Sequence, residues 1–207
     1  MIEVFKILGF LIGLIVHEFM HAWTANYLGD STARYAGRIS LSPIPHIDPL
    51  GTIILPLLLL VTGSPIIFGW AKPVPINPNN FQNPRLGEAL TSIAGPMANF
   101  ILAGILAAVL KFPGIQGTAW EVFLVSVIGI NLILMIFNLI PIPPLDGSKL
   151  LAIVFPKLEN PKVELYGFFV LLAFLLLGGF SLVVAPIFVF LANNVLDISP
   201  LVLQTVF

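Results

Sequence analysis

The sequence predicts an all-α polytopic membrane protein: a core of three transmembrane helices, a re-entrant or interfacial segment, short extended segments, and a C-terminal apolar helix or helices. Three observations carry this. Of 207 residues, 58% are hydrophobic and 9% charged, whereas soluble domains carry about 25% charged residues. Apolar runs recur at residues 4–27, 88–110 and 119–140, each long enough at 1.5 Å per residue to traverse a hydrocarbon core of about 30 Å. Between and after them, prolines and glycines divide the remaining apolar sequence into shorter pieces.

The first run contains Val16-His17-Glu18-Phe19-Met20-His21, an H-E-x-x-H set. On a helix, residues four apart lie nearly above one another, so His17 and His21 present two imidazoles to one side. That is half of a zinc site, and Glu18, about 100° around the helix, can act as general base without becoming a ligand. The surroundings strengthen the reading. Each ionisable residue inside a membrane segment costs roughly 2.5 to 3.5 kcal/mol, and a bound divalent cation compensates three of them at once. Lys6 followed by apolar residues resembles the start of a secretory signal, but the run continues through the motif to Tyr27, which a signal would not.

Gly29 and the polar residues after it read as a helix stop and a loop. Residues 37–43 alternate in character before Pro43 and Pro45 and suggest an extended strand. His46, the one histidine outside the motif, is either a group near the metal that orients substrate or a loop histidine bonded to the adjacent Asp48. Residues 51–68 are apolar but broken by Pro56 and by Thr62-Gly63-Ser64-Pro65. A full crossing here would bring the downstream acidic site to the face opposite His17 and His21, so the segment is expected to dip in and return. Lys72-Pro73-Val74-Pro75-Ile76-Asn77-Pro78 is too rich in proline for a helix and reads as an extended edge able to pair with an unfolded peptide.

The second span contains Ala94-Gly95-Pro96-Met97-Ala98-Asn99. Gly95 and Pro96 imply close packing and a kink, while the amide of Asn99 needs an interhelical partner or points at the reaction centre. The third span ends in Asn138-Leu139-Ile140-Pro141-Ile142-Pro143-Pro144-Leu145-Asp146-Gly147. Three prolines in four positions stop the helix. Asp146 then sits on irregular backbone at membrane depth, where it either caps the next helix or completes the two-histidine site as a third ligand. Two histidines and one carboxylate leave a fourth position open, the pattern of catalytic zinc. Asn99 or Asn138 could assist at an oxyanion.

Together, H-E-x-x-H, A-G-P-x-x-N and N-x-x-P-x-P-x-L-D-G resemble the site-2 protease family of intramembrane zinc metalloproteases, in its compact prokaryotic type without PDZ or CBS modules. The resemblance covers most of residues 4–150. It implies His17, His21 and Asp146 as ligands of one Zn2+ per chain and Glu18 as catalytic base. The implied activity is endopeptidase cleavage of a transmembrane protein or peptide near the cytoplasmic face, which requires local unwinding because a helix satisfies its own amides. The alternative from the same residues is a membrane metal-ion transporter.

Charge distribution supports this orientation. Arg34, Arg38, Lys72, Arg85, Lys149, Lys157 and Lys162 fall on one side of the expected topology, leaving Lys6 and Lys111 near the other, so a multi-pass protein of the cell membrane is expected with its site toward the cytoplasm. No basic or acidic tail suggests nucleic acid as a partner. The absence of cysteine removes disulfides and thiolate chemistry, leaving hydrolysis to a metal, a carboxylate or a hydroxyl. With no repeat and no long polar linker, residues 1–207 are read as a single membrane-embedded metalloprotease domain in the lipid bilayer.

Overall fold

The computed structural model describes residues 2–62 and 70–198, and within them the chain is helical, with no strand. Helix α1 (Ile2–Tyr27) is followed by a one-turn α2 (Thr32–Tyr35), α3 (Leu55–Val61), the long α4 (Pro84–Leu110) and α5 (Ala119–Asn138), a short α6 (Asp146–Ala152), α7 (Pro161–Leu176) and α8 (Ala185–Phe190). Helices α4 and α5 are long and apolar enough to cross a membrane, and a third span arises if the bent pair Lys162–Leu176 and Phe180–Val195 is one broken crossing. The pair bends by 76° at Gly178, whose φ of 81° is open to glycine and costly for other residues. Helix α1 has the length to cross, but Glu3, Lys6 and the His17, Glu18 and His21 cluster interrupt its apolar character.

Helices α1, α4 and α5 pack against one another in every pairing. Small residues make this approach close: Gly9, Gly13, Ala22 and Ala25 are buried on α1, and Gly87, Ala89, Gly95, Ala98, Ala103 and Ala107 on α4. Close backbones gain dispersion contacts that lipid tails cannot supply. Larger side chains fill the opposite side of α5, where Ile128, Leu132 and Met135 meet Val184, Phe188 and Leu196 of the C-terminal arm.

Two loop expectations change. Residues 37–43 form no strand: Gly37 turns with a φ of 68°, the Ser40 N–H bonds back to the Arg38 carbonyl at 2.9 Å, and a single 3-10 turn follows at Ile44–His46. Local turns there satisfy backbone groups that a strand would need a neighbour for. The apolar segment after Asp48 begins as a wide helical turn, Pro49–Ile54, and continues into α3. The chain then returns to its starting point, because the Trp70 N–H donates to the Gly51 carbonyl at 3.2 Å and the Thr52 hydroxyl donates to the Trp70 carbonyl at 2.8 Å. The two described ends of the segment are thus bonded to each other. Its tip at residues 63–69, like the C-terminal stretch from residue 199, lies outside the described residues.

Asp30, in the loop after α1, is fully buried. Its carboxylate accepts from the Asn77 N–H at 2.7 Å, Asn80 Nδ2 at 2.7 Å, the Thr32 N–H at 3.1 Å and the Thr32 hydroxyl. This fastens residues 77–80 to the end of α1. Burial alone would raise the carboxyl's pKa, but the bonds from Thr32, Asn77 and Asn80 outweigh it and hold the group below the usual carboxylate range. A carboxyl whose folded pKa is depressed contributes stability above its unfolded value, near pH 4, and loses it as pH falls through the folded value. Asp30→Asn, which cannot accept at both oxygens, is therefore expected to melt below wild type at pH 7. The gap in melting temperature should shrink as the pH drops below about 4, read by thermal unfolding across pH.

Candidate metal centre

The site forms where α1, α4 and the start of α6 meet. The four-residue spacing brings the His17 and His21 rings within 4.5 Å, centroid to centroid, at 86° to one another. Both residues are buried, at 5% and 6% exposure. Helix α4 passes so close that a methyl group on Gly95 would lie 2.5 Å from His21 Nε2 and 2.8 Å from His17 Cε1. Pro96 follows inside the helix, removing one N–H and loosening the turn behind it.

Asp146 enters from the other direction. The proline-rich stretch after α5 ends at Leu145, and α6 starts at Asp146. Its carboxylate does not cap that helix but faces α1, with Oδ2 3.1 Å from His17 Nε2 and 3.4 Å from His21 Nε2. Gly147 permits this, since a Cβ there would lie 2.3 Å from the Leu139 carbonyl oxygen. One turn along α6, Lys149 bonds Glu88 of α4 at 2.9 Å and Glu164 of α7 at 3.3 Å. Burial would lower its pKa, but Glu88 and Glu164 outweigh that and keep the ammonium charged. Lys149 thus braces α6 against both neighbours.

One atom each from His17, His21 and Asp146 lies within 4.8 Å of the others, a grouping that could hold a metal ion. Two ligands of a tetrahedral zinc sit about 3.3 Å apart, given bonds of 2.0 to 2.1 Å, and the two histidine-to-carboxylate separations fall on either side of this value. The far nitrogens are also engaged. His21 Nδ1 lies 2.7 Å from the Thr91 carbonyl; a carbonyl only accepts, so Nδ1 carries the hydrogen and Nε2 is left for the metal. His17 Nδ1 lies 2.6 Å from Asn99 Oδ1.

The other sequence candidates are placed as follows. Glu18 accepts from the Val74 N–H at 3.3 Å, beneath the proline-rich segment. Asn99 is fully buried and spends Nδ2 on the Gly13 carbonyl and on Asn131 Oδ1. Asn138 donates to the Leu134 carbonyl of its own helix at 2.9 Å. His46 lies outside the metal-capable cluster. Its Nε2 meets the Ser40 carbonyl at 2.7 Å, rather than the adjacent Asp48, and its own carbonyl accepts from the Lys72 N–H. Asp48 instead caps the turn at Pro49–Ile54. Sequence reading passed over Thr91, whose contribution is a backbone carbonyl, and Asn131. The signal for Asn131 was present: a lone amide in an apolar span needs a partner.

Membrane-length helices around two histidines and a carboxylate that could hold a metal ion, with a glutamate next to one of those histidines in the chain, are the parts a membrane metallopeptidase requires. Known proteins agree. The family model described as Peptidase family M50 matches residues 113–178. The chain is 39% identical over 179 residues to "Putative zinc metalloprotease YwhC" of Bacillus subtilis, covering 81% of this chain and 78% of that protein. It is 34% identical over 148 residues to "Putative zinc metalloprotease Rip2" of Mycobacterium tuberculosis, covering 70% of this chain and 54% of the relative. Over 74 residues it is 36% identical to "Zinc metalloprotease MJ0392" of Methanocaldococcus jannaschii, 36% of this chain and 22% of the relative. No solved structure matches the chain. The chain belongs to Peptidase family M50, the site-2 protease family, and is a zinc metalloprotease.

Proposed function

We propose that this protease cleaves peptide bonds of transmembrane substrates near the cytoplasmic face, with His17, His21 and Asp146 holding the zinc and Glu18 accepting the proton of the attacking water. The observation that carries the proposal is the convergence of His17 Nε2, His21 Nε2 and Asp146 Oδ2, contributed by α1 and α6 beside the apolar α4. When bound, zinc supplies an acidified water and a Lewis acid for the scissile carbonyl. The protein's residues do the rest. Asp146 and the two imidazoles fix the reaction centre against α4, and Glu18, next to His17 in the chain, takes a proton and returns it to the leaving amine.

Access for a substrate involves residues 70–77. Pro73 and Pro75 have no N–H, and the one donor between them, on Val74, is given to Glu18. A substrate reaching Glu18 exchanges with this contact, and it has to arrive locally unwound because a helix keeps its carbonyls satisfied. Arg34, Arg38, Lys72, Arg85, Lys149, Lys157 and Lys162 support a cytoplasmic orientation by the positive-inside rule.

The test uses the full chain in detergent with a helix-destabilised transmembrane substrate. A strong chelator is expected to take cleavage to background, and one equivalent of zinc per chain to restore it, while His17→Ala, His21→Ala and Asp146→Ala bind no stoichiometric zinc. Zinc flux into sealed vesicles without any peptide cleavage would overturn the proposal in favour of transport.

A further inference from the structure

Behind the metal cluster lies a line of buried amides that the proposed chemistry does not use: Asn131 on α5 and Asn99 on α4, both 0% exposed. Which end of an amide faces which neighbour is decided by neighbours that can only accept. The Val127 carbonyl is one, and it lies 2.8 Å from Asn131 Nδ2. The Asn131 oxygen is thereby turned toward Asn99, whose Nδ2 donates to it at 2.8 Å and to the Gly13 carbonyl, a second acceptor-only group, at 2.9 Å. Both hydrogens of the Asn99 amide are then spent. What remains is Oδ1, 2.6 Å from His17 Nδ1, and a carboxamide oxygen can only accept.

We propose that Asn99 and Asn131 are positioning residues that hold His17 with its hydrogen on Nδ1, so that the lone pair of Nε2 faces Asp146 Oδ2. An imidazole can ligate through either nitrogen, and the wrong tautomer would put a hydrogen where the metal bond belongs. His21 is fixed directly by the Thr91 carbonyl, whereas His17 is fixed through two side chains anchored at backbone carbonyls of α1 and α5. Gly13 belongs to the same device. A Cβ at that position would lie 3.1 Å from Asn131 Oδ1 and 2.7 Å from Leu134 Cδ1, so the bare α-carbon lets α5 bring its amide within reach of α4. With no N–H left over, Asn99 serves His17 rather than an oxyanion.

The inference rests on His17 being a zinc ligand, and the experiment separates the two. The full chain is labelled with isotopic histidine and loaded with zinc in detergent micelles; with three histidines in the sequence, nitrogen resonances can be assigned by single replacement. Wild type is expected to show His17 coordinated through Nε2, with an exchange-protected hydrogen on Nδ1. Asn99→Leu, of similar volume, should lose that protected hydrogen and bind zinc about 10- to 100-fold more weakly in chelator competition. Asn99→Asp keeps an acceptor oxygen toward His17 but loses the donor to Gly13 and Asn131, so it should retain the protected hydrogen on Nδ1 while unfolding at a lower temperature, a separation of the two readouts that packing alone would not produce. Asn131→Leu leaves Asn99 bonded to Gly13 and should show a smaller loss in the same direction. It also provides a second reading should Asn99→Leu fail to fold by circular dichroism. His17 ligating through Nδ1, or wild-type affinity in both leucine variants, overturns the proposal. Zinc that binds wild type and His17→Ala equally overturns His17 as a ligand instead.

Discussion

Glu18→Gln is expected to reduce peptide cleavage by about 10^2- to 10^4-fold, the range attributed to a positioned general base, with zinc retained at one per chain. The geometry makes this a clean substitution. Glutamine has the volume of glutamate and keeps one acceptor oxygen, so the bond from the Val74 N–H can survive and the segment above the site stays in place. Glu18 is not among the three residues whose ligand atoms converge, so its charge is not needed for coordination. What is lost is the capacity to take a proton. The measurement is turnover of a transmembrane substrate alongside zinc content of the same preparation. Undiminished cleavage would remove Glu18 from the role of base, and loss of zinc would assign it to the coordination shell.

Gly95→Ala is expected to cost 10-fold or more in zinc affinity, and cleavage with it, by an overpacking penalty of about 1 to 3 kcal/mol. The added methyl would lie 2.5 Å from His21 Nε2, 2.7 Å from His21 Cε1 and 2.8 Å from His17 Cε1. Flexible side chains could swing aside, but these rings are held at their far nitrogens by the Thr91 carbonyl and Asn99. The strain therefore falls on the proposed metal-binding face of both histidines. Gly104→Ala on the same helix is the control: its nearest contact would be 4.0 Å away, and replacing a helical glycine gains up to about 1 kcal/mol in propensity. Chelator competition and thermal unfolding of the two variants separate a local effect on the site from a general effect on α4. Equal zinc affinity in both would show that the histidines have room to retreat.

The contrast between these glycines explains what sequence can and cannot disclose. His17, Glu18 and His21 were legible because ionisable groups stand out in an apolar run, and Asp146 because three prolines announce irregular backbone around it. Gly95 was legible as a close-packing residue, but what it packs against, the two imidazoles, is a tertiary fact. Asp30 reads as one more polar loop residue; its complete burial depends on Asn77 and Asn80, about 50 residues downstream. His46 suggested either the metal or Asp48, and the structure joins it instead to the Ser40 carbonyl, a backbone group with no side-chain signature. The expected strand at residues 37–43 failed for a related reason. Alternation marks a strand only where a neighbour can pair with it, and the loop satisfies its backbone in local turns.

The bonds joining Gly51 to Trp70 also bear on which parts of this chain can vary. A loop sealed at its neck is insulated from the rest of the architecture: its length and composition can drift without reorienting anything downstream, since α4 begins from the same place whatever the excursion does. Closure entropy adds little resistance, because doubling such a loop costs only about 0.6 kcal/mol. The stretch between Thr52 and Trp70 is therefore the place for an engineer to graft a tag or a recognition element. The neck at Gly51, Thr52 and Trp70 is where such a graft has to stop.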